Sequence, residues 1–160
     1  MKFITIKNPF IKNILSALAV AIFGFILLNI TFLFDYAFQS IVKFFIRLFT
    51  PTDYNMTSWY PPLMHLLFLV IIVLISWFVF HSRIKVLYKA IYMTVPLAVV
   101  LATIGMFLYR WPIIAYSLGT IFSVFVLYYF YKTKQSWLYY YTLVLVSFVM
   151  LLVIILGVEI

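Results

Sequence analysis

The sequence predicts an all-α integral membrane protein with about five transmembrane helices and one amphipathic interfacial helix in an outer loop. Two observations lead to this class. Of the 160 residues, 68% are hydrophobic and 9% are charged, whereas soluble domains are about half apolar and a quarter charged. The apolar residues also form long uninterrupted stretches. Such a chain has too little polar surface to face water, so we expect one polytopic membrane domain over residues 1–160.

The first apolar stretch covers about residues 13–34 and follows three lysines, Lys2, Lys7 and Lys12. A basic segment before an apolar run also occurs in secretory signals, but their apolar cores are only about 7–15 residues long. No small-residue cleavage pattern follows this stretch. We therefore expect a retained signal-anchor helix.

A polar stripe follows the first stretch. Asp35, Gln39, Lys43 and Arg47 recur at every fourth residue, close to one helical turn, between large apolar side chains. This spacing predicts an amphipathic helix over about residues 36–49 that lies in the outer interface and stops before Pro51. Its role stays open between simple anchoring and a lid or docking surface.

Four further stretches have the roughly 20 residues needed to cross about 30 Å of hydrocarbon. They cover about residues 62–80, 90–109, 112–131 and 137–157. Pro96 lies inside the third helix, where it predicts a kink rather than a cavity. Small residues predict three faces where helices approach closely, namely Ala17, Ala21 and Gly24, then Ala98, Ala102 and Gly105, then Gly119 and Ser123.

The charges predict the orientation. With the N-terminus in the cytoplasm, eight basic residues and no acidic one lie on that side: Lys2, Lys7, Lys12, Arg83, Lys85, Lys89, Lys132 and Lys134. The outer side then holds the other three basic residues and all three acids: Lys43, Arg47, Arg110, Asp35, Asp53 and Glu159. This bias follows the positive-inside rule and places the C-terminus outside.

The same distribution accounts for the net charge of +8. Basic residues at helix ends meet anionic headgroups, so we expect membrane lipids as partners and no nucleic acid. Abundant Phe, Ile, Tyr and Lys are typical of an AT-rich genome, and we expect a bacterial cell membrane.

The sequence contains few residues or motifs that indicate catalysis or metal binding. Cysteine is absent, and neither a zinc-protease motif nor a nucleophile-elbow motif occurs. His65 and His81 lie 16 residues apart on one predicted helix, about 24 Å along its axis, so they cannot share a metal or bind one haem. Proton relays usually need intramembrane carboxylates, and the mid-membrane polar residues are uncharged. We predict no catalytic residue, no metal and no cofactor.

The candidate ligand-binding residues gather at the predicted outer face: Arg110, His65, Asp35, Lys43 and Arg47. Arg110 has two possible roles there. It either forms an ion pair that holds the loop against the bundle, or, with Lys43 and Arg47, receives an anionic headgroup or a substrate carboxylate.

These observations favour a non-enzymatic protein that acts as a subunit or accessory of a membrane assembly, with another membrane protein or a second copy as partner. The alternative is a small transporter, channel, or lipid- or solute-binding protein with an outward-facing site. An intramembrane enzyme is the third class. It would require His65 within hydrogen-bonding distance of Asp35 or Asp53 in a cleft.

Overall fold

The computed structural model describes residues 9–49 and 60–155. They form five α-helices joined by short turns, apart from the segment between the first two. The helices are α1 (Pro9–Phe49), α2 (Tyr60–His81), α3 (Val86–Phe107), α4 (Pro112–Lys132) and α5 (Trp137–Ile155). By length and apolar composition α1 to α4 can each cross a membrane, while the apolar stretch Trp137–Leu152 of α5 is shorter. The described part of the chain is therefore all-helical, as predicted.

The third helix is the centre of the bundle. It packs against α1, α2 and α5, and it carries more buried residues than any other element, among them Ala90, Ala98 and Ala102. These small side chains let neighbouring backbones approach, which is how helices pack where apolar burial gives no advantage over lipid. The fourth helix lies at the edge, and Phe130 is its one fully buried side chain among the described residues.

The closest helix contact joins α1 to α3. A Cβ added at Gly24 would lie 2.6 Å from Cγ2 of Thr94, which is too close for any side chain. The hydroxyl of Thr94 donates to the carbonyl of Ile91 at 2.8 Å and lies 3.4 Å from the carbonyl of Gly24. Gly24 thus occupies a close-approach face, as its sequence context predicts.

The first helix ends later than the sequence predicts. A break near Asp35 was expected, with a separate interfacial helix over residues 36–49, but α1 continues unbroken from Pro9 to Phe49. No proline or glycine interrupts the chain there, and the Asp35 side chain has partners that keep it inside the bundle. The prediction of two helices was wrong in this respect. At 1.5 Å per residue the 41 residues extend about 60 Å, twice the hydrocarbon thickness of a bilayer.

The turns explain where the other helices end. The ammonium of Lys89 donates to the carbonyl of Phe80 at 2.6 Å and so satisfies an end carbonyl of α2. After α4, Lys134 adopts φ 49°, and the amides of Lys134 and Gln135 donate to the carbonyls of Tyr131 and Phe130. This pattern is a Schellman motif, in which glycine is the usual left-handed residue.

Candidate functional site

A carboxylate and an imidazole meet inside the bundle. Asp35 lies in α1 and His65 lies one turn inside α2, and their side chains are 8% and 1% exposed. Oδ2 of Asp35 lies 2.6 Å from Nδ1 of His65, and Oδ1 accepts a hydrogen bond from Nε2 of Gln39 at 3.1 Å. This contact, which we call the Asp35–His65 pair, is the one ion pair within the ranges 9–49 and 60–155.

Helix geometry positions each member of the pair. Gln39 follows Asp35 by four residues and therefore lies on the same face of α1. The ring of Phe68 lies one turn after His65, with centroid distances of 6.4 Å to the imidazole and 6.3 Å to Phe38. Aromatic rings thus cover the pair, and Asp35 stays in the bundle because each of its oxygens has a hydrogen-bonding partner.

The far nitrogen of the imidazole has no such partner. Nε2 of His65 is buried and makes no hydrogen bond within the described part of the chain. In a neutral imidazole whose Nδ1–H donates to a carboxylate, Nε2 is an acceptor. In an imidazolium, Nε2 also carries a proton and is a donor. Nε2 can therefore form one hydrogen bond with a further group while Nδ1 keeps its contact with Asp35.

The pair meets half of the condition set for an enzyme. Asp35 and His65 are within hydrogen-bonding distance, but neither lines the two cavities described below. No group of three potential metal-ligating side chains occurs among the described residues either. The pair therefore combines an orienting carboxylate with a buried base.

Of the five candidate ligand-binding residues, only Asp35 and His65 are in contact within the described part of the chain. Lys43 and Arg47 are exposed on α1, about two and three turns beyond Asp35. Two predicted neighbours, Asp53 and Glu159, lie outside the described residues.

Arg110 occupies the turn between α3 and α4. Its Nε donates to the hydroxyl of Tyr109 at 2.9 Å, and the guanidinium carbon lies 5.7 Å from the centre of the same ring. That hydrogen bond raises the pKa of Arg110, which therefore stays cationic. Within the described residues the guanidinium has no carboxylate partner, so an ion pair holding the loop is not observed there.

Two apolar cavities flank the loosely packed helix α4. The larger, about 430 Å³, lies between α3, α4 and α5 and includes Gly105, Gly119 and Ser147 in its lining. The smaller, about 350 Å³, lies between α2, α3 and α4. Pro96 lines the smaller one, so the expectation of a kink without a cavity was wrong on the second point. The glycines had been predicted to pack closely, but nothing lies within 4 Å of a Cβ placed at Gly105.

Comparisons with known proteins leave the function open. No protein-family model matches this chain, and neither a curated protein nor a solved structure matches it significantly. Function must therefore be argued from the geometry of the described residues.

Proposed function

We propose that this chain is a non-enzymatic membrane protein that acts as a subunit or accessory of a membrane assembly. Its outer partner packs on the distal part of α1, which we define as residues 36–48. The partner is another membrane protein or a second copy of the chain. The single observation that carries the proposal is the length of α1, whose 41 residues make it about twice as long as the other helices, which have 19 to 22 residues.

The distal part of α1 has an apolar surface that the other described residues leave uncovered. It extends about 20 Å beyond Asp35, and none of its side chains is buried. Four of its large apolar side chains are between 54% and 61% exposed: Ile41, Phe44, Phe45 and Leu48. Lipid can cover such side chains only where the helix lies at hydrocarbon depth. A helix twice the length of the hydrocarbon layer exceeds that depth unless it is strongly tilted, and a protein partner would cover the remainder.

The placement in the membrane is part of the proposal. The chain crosses a bacterial cell membrane five times, with its N-terminus in the cytoplasm and its C-terminus outside. The charge bias supports this orientation. Because the chain lacks cysteine, single cysteines report topology cleanly. In intact cells a membrane-impermeant maleimide should label Arg110→Cys but not Arg83→Cys, which should react only after permeabilisation. The reverse pattern would invert the orientation.

Site-specific photocrosslinking tests the partner surface. A photoreactive phenylalanine analogue replaces Phe45 in the distal part of α1, and in a matched control it replaces Phe125, which is 67% exposed on α4. We expect a protein adduct from position 45 and only lipid adducts from position 125, and the mass of the adduct distinguishes a second copy from another protein. Lipid adducts alone from position 45 would refute the partner surface and favour interfacial anchoring.

A second function is favoured by a different observation. Among the described residues Nε2 of His65 has no hydrogen-bond partner, and a bound solute could supply that hydrogen bond. This would make the protein a small solute-binding protein or transporter with an outward-facing site at the Asp35–His65 pair. A solute that protects the wild type, but not a His65→Leu variant, from thermal unfolding would support this function. Equal protection of both proteins would refute it.

A further inference from the structure

We propose that the larger cavity binds one acyl chain of an anionic phospholipid, whose headgroup is held by Arg110. The site uses the leaflet that contains the turn between α3 and α4. It depends on the function proposed above only in that α3, α4 and α5 lie in the bilayer. It does not require a protein partner.

The dimensions of the cavity fit a single acyl chain. Its volume of about 430 Å³ lies in the range of about 300–1,000 Å³ found for ligand pockets. Along α4 its lining extends from Ala115 to Leu127, about 18 Å at 1.5 Å per residue. One leaflet contributes half of the roughly 30 Å hydrocarbon layer, about 15 Å. The cavity is thus about as long as one leaflet is deep.

The walls of the cavity are mostly apolar, although the hydroxyl of Ser147 in its lining has no hydrogen-bond partner among the described residues. Two hydroxyls on α4 that line it donate to carbonyls of their own helix, Thr120 to Tyr116 at 2.8 Å and Ser123 to Gly119 at 2.9 Å. Their hydrogens are therefore already satisfied within the helix. The space exists because Gly105 lacks a side chain where nothing else lies within 4 Å.

A cation lies at the end of the cavity where a headgroup belongs. Gly105 is in the last turn of α3 and Ala115 is in the first turn of α4, and both line the cavity. Arg110 lies in the short turn that joins these two helix ends and is fully exposed. Its Nε is bonded to Tyr109, which leaves the terminal N–H groups of the guanidinium for phosphate oxygens. Charge complementarity therefore favours an anionic lipid over a zwitterionic one.

Native mass spectrometry of the delipidated full chain tests the site. We titrate it with phosphatidylglycerol and with phosphatidylcholine of the same acyl composition. We expect one phosphatidylglycerol per chain, bound about fivefold more tightly than phosphatidylcholine, since one surface cation is worth about that factor. Equal affinities, or tighter retention of a free fatty acid than of phosphatidylglycerol, would overturn the proposal.

Two variants distinguish the site of the acyl chain, in the cavity, from the site of the headgroup, at Arg110. Gly105→Leu fills the cavity and should weaken both lipids about tenfold or more, because the acyl chain loses its buried contacts. Ser117→Leu adds a similar side chain at an exposed position of α4 and should change neither. Arg110→Gln should bring phosphatidylglycerol down to the affinity of phosphatidylcholine. Arg83→Gln, at an exposed position in the turn between α2 and α3, should leave the preference intact.

The integrity of each variant is checked by helical circular dichroism and thermal unfolding. If Gly105→Leu does not fold, Gly119→Leu replaces it, since a Cβ there lies at an ordinary 3.6 Å from Leu101. A folded cavity-filling variant with unchanged lipid affinity would refute binding of the acyl chain in the cavity. An unchanged headgroup preference in Arg110→Gln would refute the role of Arg110.

Discussion

Replacing His65 with leucine should destabilise the bundle strongly, because it leaves the Asp35 carboxylate buried without its cationic or N–H partner. Asp35 is 5% exposed and His65 is 1% exposed, so solvent cannot replace the lost contact. Removing one member of a buried pair costs about 3–5 kcal/mol. The remaining hydrogen bond from Gln39 offsets part of this loss, and we expect about 3 kcal/mol.

Replacing both members should be far less harmful. In Asp35→Val with His65→Leu no buried charge remains, and apolar side chains of similar volume fill the space. Such exchanges of a buried pair are often neutral or stabilising. We expect the double variant to lie within about 1 kcal/mol of the wild type, so that the two substitutions are strongly non-additive.

The assay is unfolding of the purified protein by sodium dodecyl sulfate, followed by the loss of helical ellipticity. Unfolding of the wild type, of His65→Leu and of the double variant is compared at pH 7. A loss below about 1 kcal/mol at pH 7, or additive effects in the double variant, would refute the conclusion that the pair is a buried and coupled unit.

Three further substitutions test separate contacts by the same assay. Gly24→Ala should cost about 1–3 kcal/mol although alanine has the better helix propensity, because the added Cβ would lie 2.6 Å from Cγ2 of Thr94. Adding Thr94→Ser, which removes that methyl group, should restore most of the lost stability. If it does not, this clash is not the cause of the loss. Arg110→Gln should leave stability unchanged because the guanidinium is exposed and bonded only to the neighbouring Tyr109 among the described residues, and a clear loss would reinstate the loop-holding role. Ser147→Ala should stabilise by roughly 1 kcal/mol, because the buried Ser147 hydroxyl has no hydrogen-bond partner in the described ranges, and a loss of stability would reveal such a partner.

The helix positions could be predicted because they depend on local composition. The helices expected over about residues 62–80 and 112–131 are observed at Tyr60–His81 and Pro112–Lys132. Proline at a first turn and a basic residue at a last turn marked these ends in the sequence. Transmembrane length is set by the bilayer, which makes such stretches the easiest elements to find.

The continuity of α1 could not be predicted in the same way. An acidic residue after an apolar stretch usually marks the end of a span, so the sequence predicts that the first span ends near Asp35. Its partner His65 is 30 residues away in the sequence, so the contact that makes burial of the acid tolerable belongs to tertiary structure. The sequence predicted that Asp35 and His65 both lie near the outer face of the membrane, but not that their side chains are in contact.

The packing order was likewise beyond the sequence. Apart from the polar stripe near the end of α1, the helices carry apolar residues on every side. Lipid-facing and buried faces also have similar hydrophobicity in membrane proteins. The small residues indicated where helices can approach, correctly for Gly24, but not that Gly105 instead borders an unfilled space. Whether a glycine receives a neighbour depends on which helices meet, and this is a property of the whole bundle.

The central position of α3 has a consequence for biogenesis. Helices leave the ribosome in chain order, and α1 makes far more of its interhelical contact with α3 than with α2. The first two helices, which meet at the Asp35–His65 pair, must therefore wait in the lipid until the third has been synthesised. Because α4 adds little burial, the step that completes the bundle is the arrival of α5. A stalled nascent chain that ends after Phe107 should already hold α1, α2 and α3 together.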